Sequence, residues 1–194
     1  MSPNGRYILA GGALTGYGWL GIYDAVSRRL TVRLRPRHLV DHFAAYEWLA
    51  DSRTVLLSCD TEKYDWQSHR GPGGIWKWDI ISGAAKEWLE TGTPISCVEV
   101  SPDASRIAYL VPAEDSSLSK LRVHEIVSGS TSTVWQGIHY AHLGDFSWAP
   151  DSKRIALSED TWEDGAAALW VIDVVERTQR IILENATAPA WSPR

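Results

Sequence analysis

A short motif returns five times along the chain, and its spacing restricts the fold more than any other feature. The segments MSPNGRYILA from Met1, WLADSRTVLL from Trp48, VSPDASRIAY from Val100, WAPDSKRIAL from Trp148 and WSPR from Trp191 begin 47, 52, 48 and 43 residues apart. A drifting period of this size is the mark of stacked units, each too small to bury its own apolar face and each joined to the next by loops of unequal length. Every copy runs from an aromatic or apolar residue through a tight turn into a β-rich stretch. Asn4, Asp51, Asp103 and Asp151 offer side-chain oxygens to the turn backbone, and Pro3, Pro102 and Pro150 preset φ. The pattern predicts a hairpin between the first and second strands of each unit.

A second pattern follows in register. LGIYDAVSR, IWKWDIISG, LRVHEIVSG and LWVIDVVER each end a β-rich run in an acid, at Asp24, Asp79, Glu125 and Asp173, with Arg28, Gly83, Gly129 and Arg177 four residues later. Glycine there suits a left-handed turn residue. Where arginine stands instead, the turn must either change type or hold a strain of about 1–2 kcal/mol. The runs LTVRL, AKEWL, STVWQ and RIILE then predict a fourth, more polar strand that protects the outer edge. Apolar residues recur with period two or in short runs and never with helical spacing, so no helix of ordinary length is expected.

Together the two patterns resemble the TolB-like, WD-repeat-like β-propeller repeat, whose signature is W-S-P-D-G, an apolar strand, then a strand ending in Asp with Gly four residues on. The resemblance covers essentially the whole chain, although WLADS lacks the proline and only SPNG keeps the glycine. It implies an all-β fold of four-stranded antiparallel blades, with repeats at about 1–42, 43–94, 95–142 and 143–187, and with 188–194 supplying a first strand for the N-terminal blade or for a next one. Three closures stay open: an arc of a larger propeller, a four-bladed ring, or a homodimer completing an eight-bladed ring.

The repeat also accounts for an excess of tryptophan, 11 residues against 2 phenylalanines. Trp48, Trp148 and Trp191 share one repeat position and Trp76 and Trp170 another, as expected of rings wedged between neighbouring sheets, each worth about 2 kcal/mol or more on burial. Trp19, Trp66 and Trp162 are placed in or near longer loops and are the better ligand candidates. Cys59 and Cys97 lack the spacing of a zinc or redox site and read as reduced, structural residues.

Charge and hydropathy narrow the partners. A formal charge of -5 leaves no basic surplus for a phosphate backbone, so no nucleic acid is expected. No run of about 18 apolar residues is present to cross a bilayer, and the N-terminus shows no export signal; periplasmic and cytoplasmic placements both stay open.

Candidate chemistry gathers where blade-to-blade loops and second-to-third-strand loops share one face. His42 and His142 each stand six residues before a repeat tryptophan, and Asp60 and Asp160 lie in matching S-x-D-T contexts. With Trp66 and Trp162 these form the candidate ligand-binding set, near His38, His69 and His139. Imidazole and carboxylate together suit a divalent ion. Without short ligand spacing, however, the plainer reading of solvated polar loops is preferred, and no metal or cofactor is expected. No G-x-S-x-G elbow, phosphate loop or dinucleotide fingerprint is present, so no catalytic residue is assigned.

The reading that results is a non-enzymatic binding module or scaffold for a protein or peptide partner, as the resemblance implies. The alternative is a gating propeller of a larger hydrolase similar to prolyl oligopeptidase and dipeptidyl peptidase, its catalytic domain outside these residues. A metal-dependent propeller enzyme similar to the lactonases ranks third.

Overall fold

Alternating β-rich runs separated by turn residues fold as the pattern requires: among the described residues, fifteen strands form four antiparallel sheets and no helix occurs. The computed structural model describes residues 1–14, 17–34, 45–60, 73–93, 95, 97–113, 118–138, 146–161, 166–186, 189 and 191. The chain divides into two units, Met1–Ile95 and Ser96–Arg194.

The first unit holds a three-stranded sheet, β1 (Tyr7–Leu14), β2 (Tyr17–Asp24) and β3 (Arg29–Leu34), and a four-stranded sheet, β4 (Ala45–Trp48), β5 (Thr54–Asp60), β6 (Gly73–Asp79) and β7 (Ala85–Glu90). The second holds two four-stranded sheets. One is β8 (Cys97–Val100), β9 (Arg106–Pro112), β10 (Ser119–Glu125) and β11 (Thr131–Gly137); the other is β12 (Phe146–Trp148), β13 (Arg154–Thr161), β14 (Ala166–Asp173) and β15 (Thr178–Glu184). In every sheet the strands lie side by side in chain order.

The repeated motif makes one turn four times. The backbone N–H of Gly5, Ser52, Ala104 and Ser152 donates to the carbonyl three residues earlier, on Ser2, Leu49, Ser101 and Ala149, at 2.8–3.0 Å. All four residues are left-handed, at φ 72, 55, 56 and 58°. Serine and alanine thus adopt the conformation that the repeat signature reserves for glycine.

The second turn settles the alternative posed by Arg28 and Arg177. Both sit at φ 55°, beside Gly83 and Gly129 at 73 and 70°, so the turn keeps its shape and the arginines take up the strain. Capping by the preceding acid offsets it. Asp24 Oδ1 accepts the N–H groups of Val26 and Ser27, Asp79 Oδ1 those of Ile81 and Ser82, and Asp173 Oδ1 those of Val175 and Glu176. The two turns of each sheet are also bonded to each other: Ala25, Ile80, Ile126 and Val174 donate to the carbonyls of Arg6, Arg53, Ser105 and Lys153 at 2.8–3.1 Å.

Each unit packs its two sheets around tryptophan. In the first, Leu9, Leu20, Ile22, Val55, Leu57, Trp78 and Ile80 surround Trp48; in the second, Ala108, Leu110, Leu121, Val123, Trp135, Ile155, Leu157 and Ile172 are among the residues that surround Trp148. The repeat position of these two rings is therefore a core position. The outer strands match expectation unevenly. Strand β7 is polar at Lys86, Glu87 and Glu90, but β15 leaves Ile181, Ile182 and Leu183 exposed, so its edge is not protected by polarity.

Candidate functional site

The two ends of each sheet differ. At one end lie the short motif turns, whose polar groups bond within the turns and to each other. At the other end the second and third strands part at Leu14 and Tyr17, Asp60 and Gly73, Pro112 and Ser119, and Thr161 and Ala166. Asp60 pairs with Gly73 and Asp160 with Ala167. Counted along the ladder from Thr54 and Arg154, these are the same position in two sheets, in keeping with the shared S-x-D-T context.

His42, His142, Trp66 and Trp162 lie outside the described residues, as do His38, His69, His139 and the side chains of Asp60 and Asp160. Trp19 requires a correction. Its backbone belongs to β2, where it pairs with Gly12, and not to a loop.

The described side chains build a second arrangement, along the seam between neighbouring sheets of a unit. Glu99 on β8 engages Trp148 twice, its carboxylate accepting the backbone N–H at 3.1 Å and its carbonyl oxygen the indole N–H at 3.4 Å. One repeat later the Trp191 indole donates to the Ser147 carbonyl at 2.9 Å, with its ring 5.4 Å from the Arg154 guanidinium. Nearer the turns, Ser52 Oγ accepts from Asn4 N–H and Ser152 Oγ from Asp103 N–H, both at 3.0 Å. Glu159 closes the seam of the second unit, taking the Ile138 N–H at 3.0 Å and the Trp170 indole at 2.7 Å. The left-handed serines therefore serve as acceptors between sheets, a role the equivalent Gly5 and Ala104 have no side chain to fill.

Electrostatics sort the acids by environment. A hydrogen bond from Arg6 holds Asp24 down to about 2, and Arg53 lowers Asp79 further. Glu47 behaves oppositely: burial pushes its carboxyl up to about 7, against the pull of the N-terminal ammonium. It stands one residue before Trp48 on β4, the position that Glu99 holds before Val100 on β8. Reading the sequence by motif alone missed Glu47, and only its alignment with Glu99 on a first strand marks it. Burial lowers the His124 imidazole, whose Nδ1 lies 2.9 Å from Thr131 Oγ1. Among the described residues, no three His, Cys, Asp or Glu side chains converge as metal ligands.

No protein-family profile and no curated protein sequence matches the chain. Solved structures do. Hydrazine synthase from Kuenenia stuttgartiensis is similar at a TM-score of 0.63 and 15% identity, over 89% of this chain and 49% of its own. The β-propeller domain of Cps50 (Swd1) from Myceliophteria thermophila gives 0.59 at 14% identity, over 94% and 54%. TolB from Acinetobacter baumannii gives 0.50 at 15%, over 92% and 47%. The chain spans about half the length of these structures, and at such identities the likeness concerns the fold alone: its four sheets are blades of a partial β-propeller.

Proposed function

We propose that this chain is a non-enzymatic binding module or scaffold that engages a protein or peptide partner at the loop end of its sheets. The supporting observation is the asymmetry of the blades. One end is closed by short turns of constant length whose polar groups satisfy each other; the sequence varies in length only between the strand ends on the other side. A rigid frame that holds variable loops is the usual arrangement of a recognition surface. His42, His142, Asp60, Asp160, Trp66 and Trp162 are the residues proposed to contact the partner there. Histidine and aspartate would fix orientation through hydrogen bonds, while tryptophan would bury apolar area at low entropic expense.

Selection from a displayed peptide library tests this reading. The protein and a variant carrying alanine at His42, His142, Asp60 and Asp160 are compared, with Ser27→Ala at the turn end as control. The expected outcome is enrichment of peptides by the protein and the control, and loss of their binding in the fourfold variant with its melting temperature unchanged. Equal binding by the protein and the fourfold variant would rule out the loop end as the recognition surface.

A further inference from the structure

Glu159 differs in kind from the residues at its position in the other sheets. Counted along the ladders from Tyr7, Thr54, Arg106 and Arg154, that position holds Gly12, Cys59, Val111 and Glu159. The carboxylate accepts two donors, the Ile138 N–H on Oε1 at 3.0 Å and the Trp170 indole N–H on Oε2 at 2.7 Å. Ile138 follows the outer strand β11 and Trp170 lies on β14, so this one side chain joins the two sheets of the second unit at their loop end. The backbone passes close over it: a Cβ at Gly137 would lie 2.5 Å from Oε1.

The ladder itself does not call for a carboxylate there. In the sheet of β4 to β7, Cys59 pairs with Gly74 as Glu159 pairs with Ala168, and Trp76 stands where Trp170 stands. That sheet keeps the pairing and the tryptophan, although the Trp76 Nε1 is buried with no acceptor among the described residues. Taking a carboxylate out of water carries a desolvation cost that only well-placed donors offset. What sets Glu159 apart is therefore the group it holds.

Ile138 opens the segment that runs to Phe146, where β12 begins, and that contains His142. Phe146 is buried in the core of the unit, so packing fixes the far end of the segment and Glu159 fixes the near one. The next residue along β13 is Asp160, whose backbone pairs with Ala167.

We propose that Glu159 is a positioning residue of the recognition surface: it sets the start of the His142 segment against the strand end that carries Asp160. This inference rests on the loop-end reading given above. A segment whose origin is fixed before its partner arrives has less freedom to lose on binding, and its affinity is higher for that reason.

The test uses a peptide selected by the full chain from the displayed library, with its affinity measured for Glu159→Cys, which places in the second unit the residue that the first unit carries. The expected result is binding weaker by about tenfold, the scale on which ordering a few additional side chains is felt. Glu159→Gln retains one acceptor oxygen and should fall between the two, which keeps the test open if the cysteine variant folds poorly. Gly129→Ala, at the turn end of the sheet that leads into Ile138, meets no atom within 4 Å and serves as the control for a general loss of stability; it should bind the peptide as the parent does. Exchange of the Ile138 amide proton reads the contact directly: slow in the parent and in Gly129→Ala, and about tenfold faster in Glu159→Cys. Ile138 exchange unchanged in Glu159→Cys overturns the proposal. So does peptide binding that is lost in the fourfold alanine variant but kept by both Glu159 variants, a result that leaves the loop-end reading standing. Binding that survives the fourfold variant overturns that reading and the role of Glu159 with it.

Discussion

Replacing Gly137 by alanine probes whether the seam of the second unit is packed as tightly as its geometry states. Gly137 ends β11, and a Cβ added there would lie 2.5 Å from Glu159 Oε1 and closer still to the Trp135 ring. Neither neighbour has freedom to retreat. Trp135 is buried in the core, and Glu159 is held by the Ile138 N–H and the Trp170 indole. Over-packing of this kind costs about 1–3 kcal/mol, and displacing a carboxylate from its donors costs about 1.5–3 kcal/mol for each bond to the charged group. With partial relaxation the expected loss is about 3 kcal/mol. Urea unfolding with a slope of about 2 kcal/mol/M would then show a midpoint lower by about 1.5 M. The companion variant Glu159→Ala removes the carboxylate that the new methyl strikes, so the double variant should lose less than the sum of the singles by about 1 kcal/mol or more. A midpoint within about 0.25 M of the parent, or strict additivity, would refute the packing argument.

The left-handed turn residues make a paired test. No atom lies within 4 Å of a Cβ at Gly129, so Gly129→Ala should lose about 1 kcal/mol through φ alone, whereas Arg177→Gly, at φ 55°, should gain about 0.5 kcal/mol once the greater freedom of the unfolded chain is counted; thermal melts of both variants decide it. Glu47 predicts a pH dependence of definite sign. Its carboxyl titrates at about 7 when folded, against an ordinary 4.5, so between these values the folded state binds more protons than the unfolded one. Its contribution is complete below pH 4.5 and falls by about 3 kcal/mol as pH rises to 7. Glu47→Gln should remove that decline and leave the variant the more stable protein at pH 8; parallel pH profiles for the two in urea would count against burial as the cause.

The hairpins and their turns were legible because the turn residues recur at fixed offsets from the strands they join. Asp24, Asp79 and Asp173 cap backbone N–H groups, and glycine, serine, alanine or arginine at the left-handed positions interrupts the β-rich runs at a fixed offset. The seams were not legible. Glu99 reaches Trp148 49 residues along the chain, and nothing local in CVEV distinguishes it from an exposed strand glutamate. Glu47 was hidden for the same reason, since burial by a neighbouring element leaves no local trace. RIILE was read with the other closing runs as a more polar strand that protects the outer edge, and the exposed Ile181, Ile182 and Leu183 show that this edge is apolar.

The bonds that tie both turns of a blade together, from Ala25 to Arg6, Ile80 to Arg53, Ile126 to Ser105 and Val174 to Lys153, divide the chain into parts that tolerate change differently. Since each turn recurs with the same residue count, an insertion there would break two hairpins at once. The intervals of 43 to 52 residues between motifs must therefore be absorbed at the opposite strand ends. For an engineer, this makes the gap between Asp60 and Gly73 a place where a foreign sequence can be grafted with its length chosen freely, while a single residue added between Trp48 and Thr54 should unfold the blade.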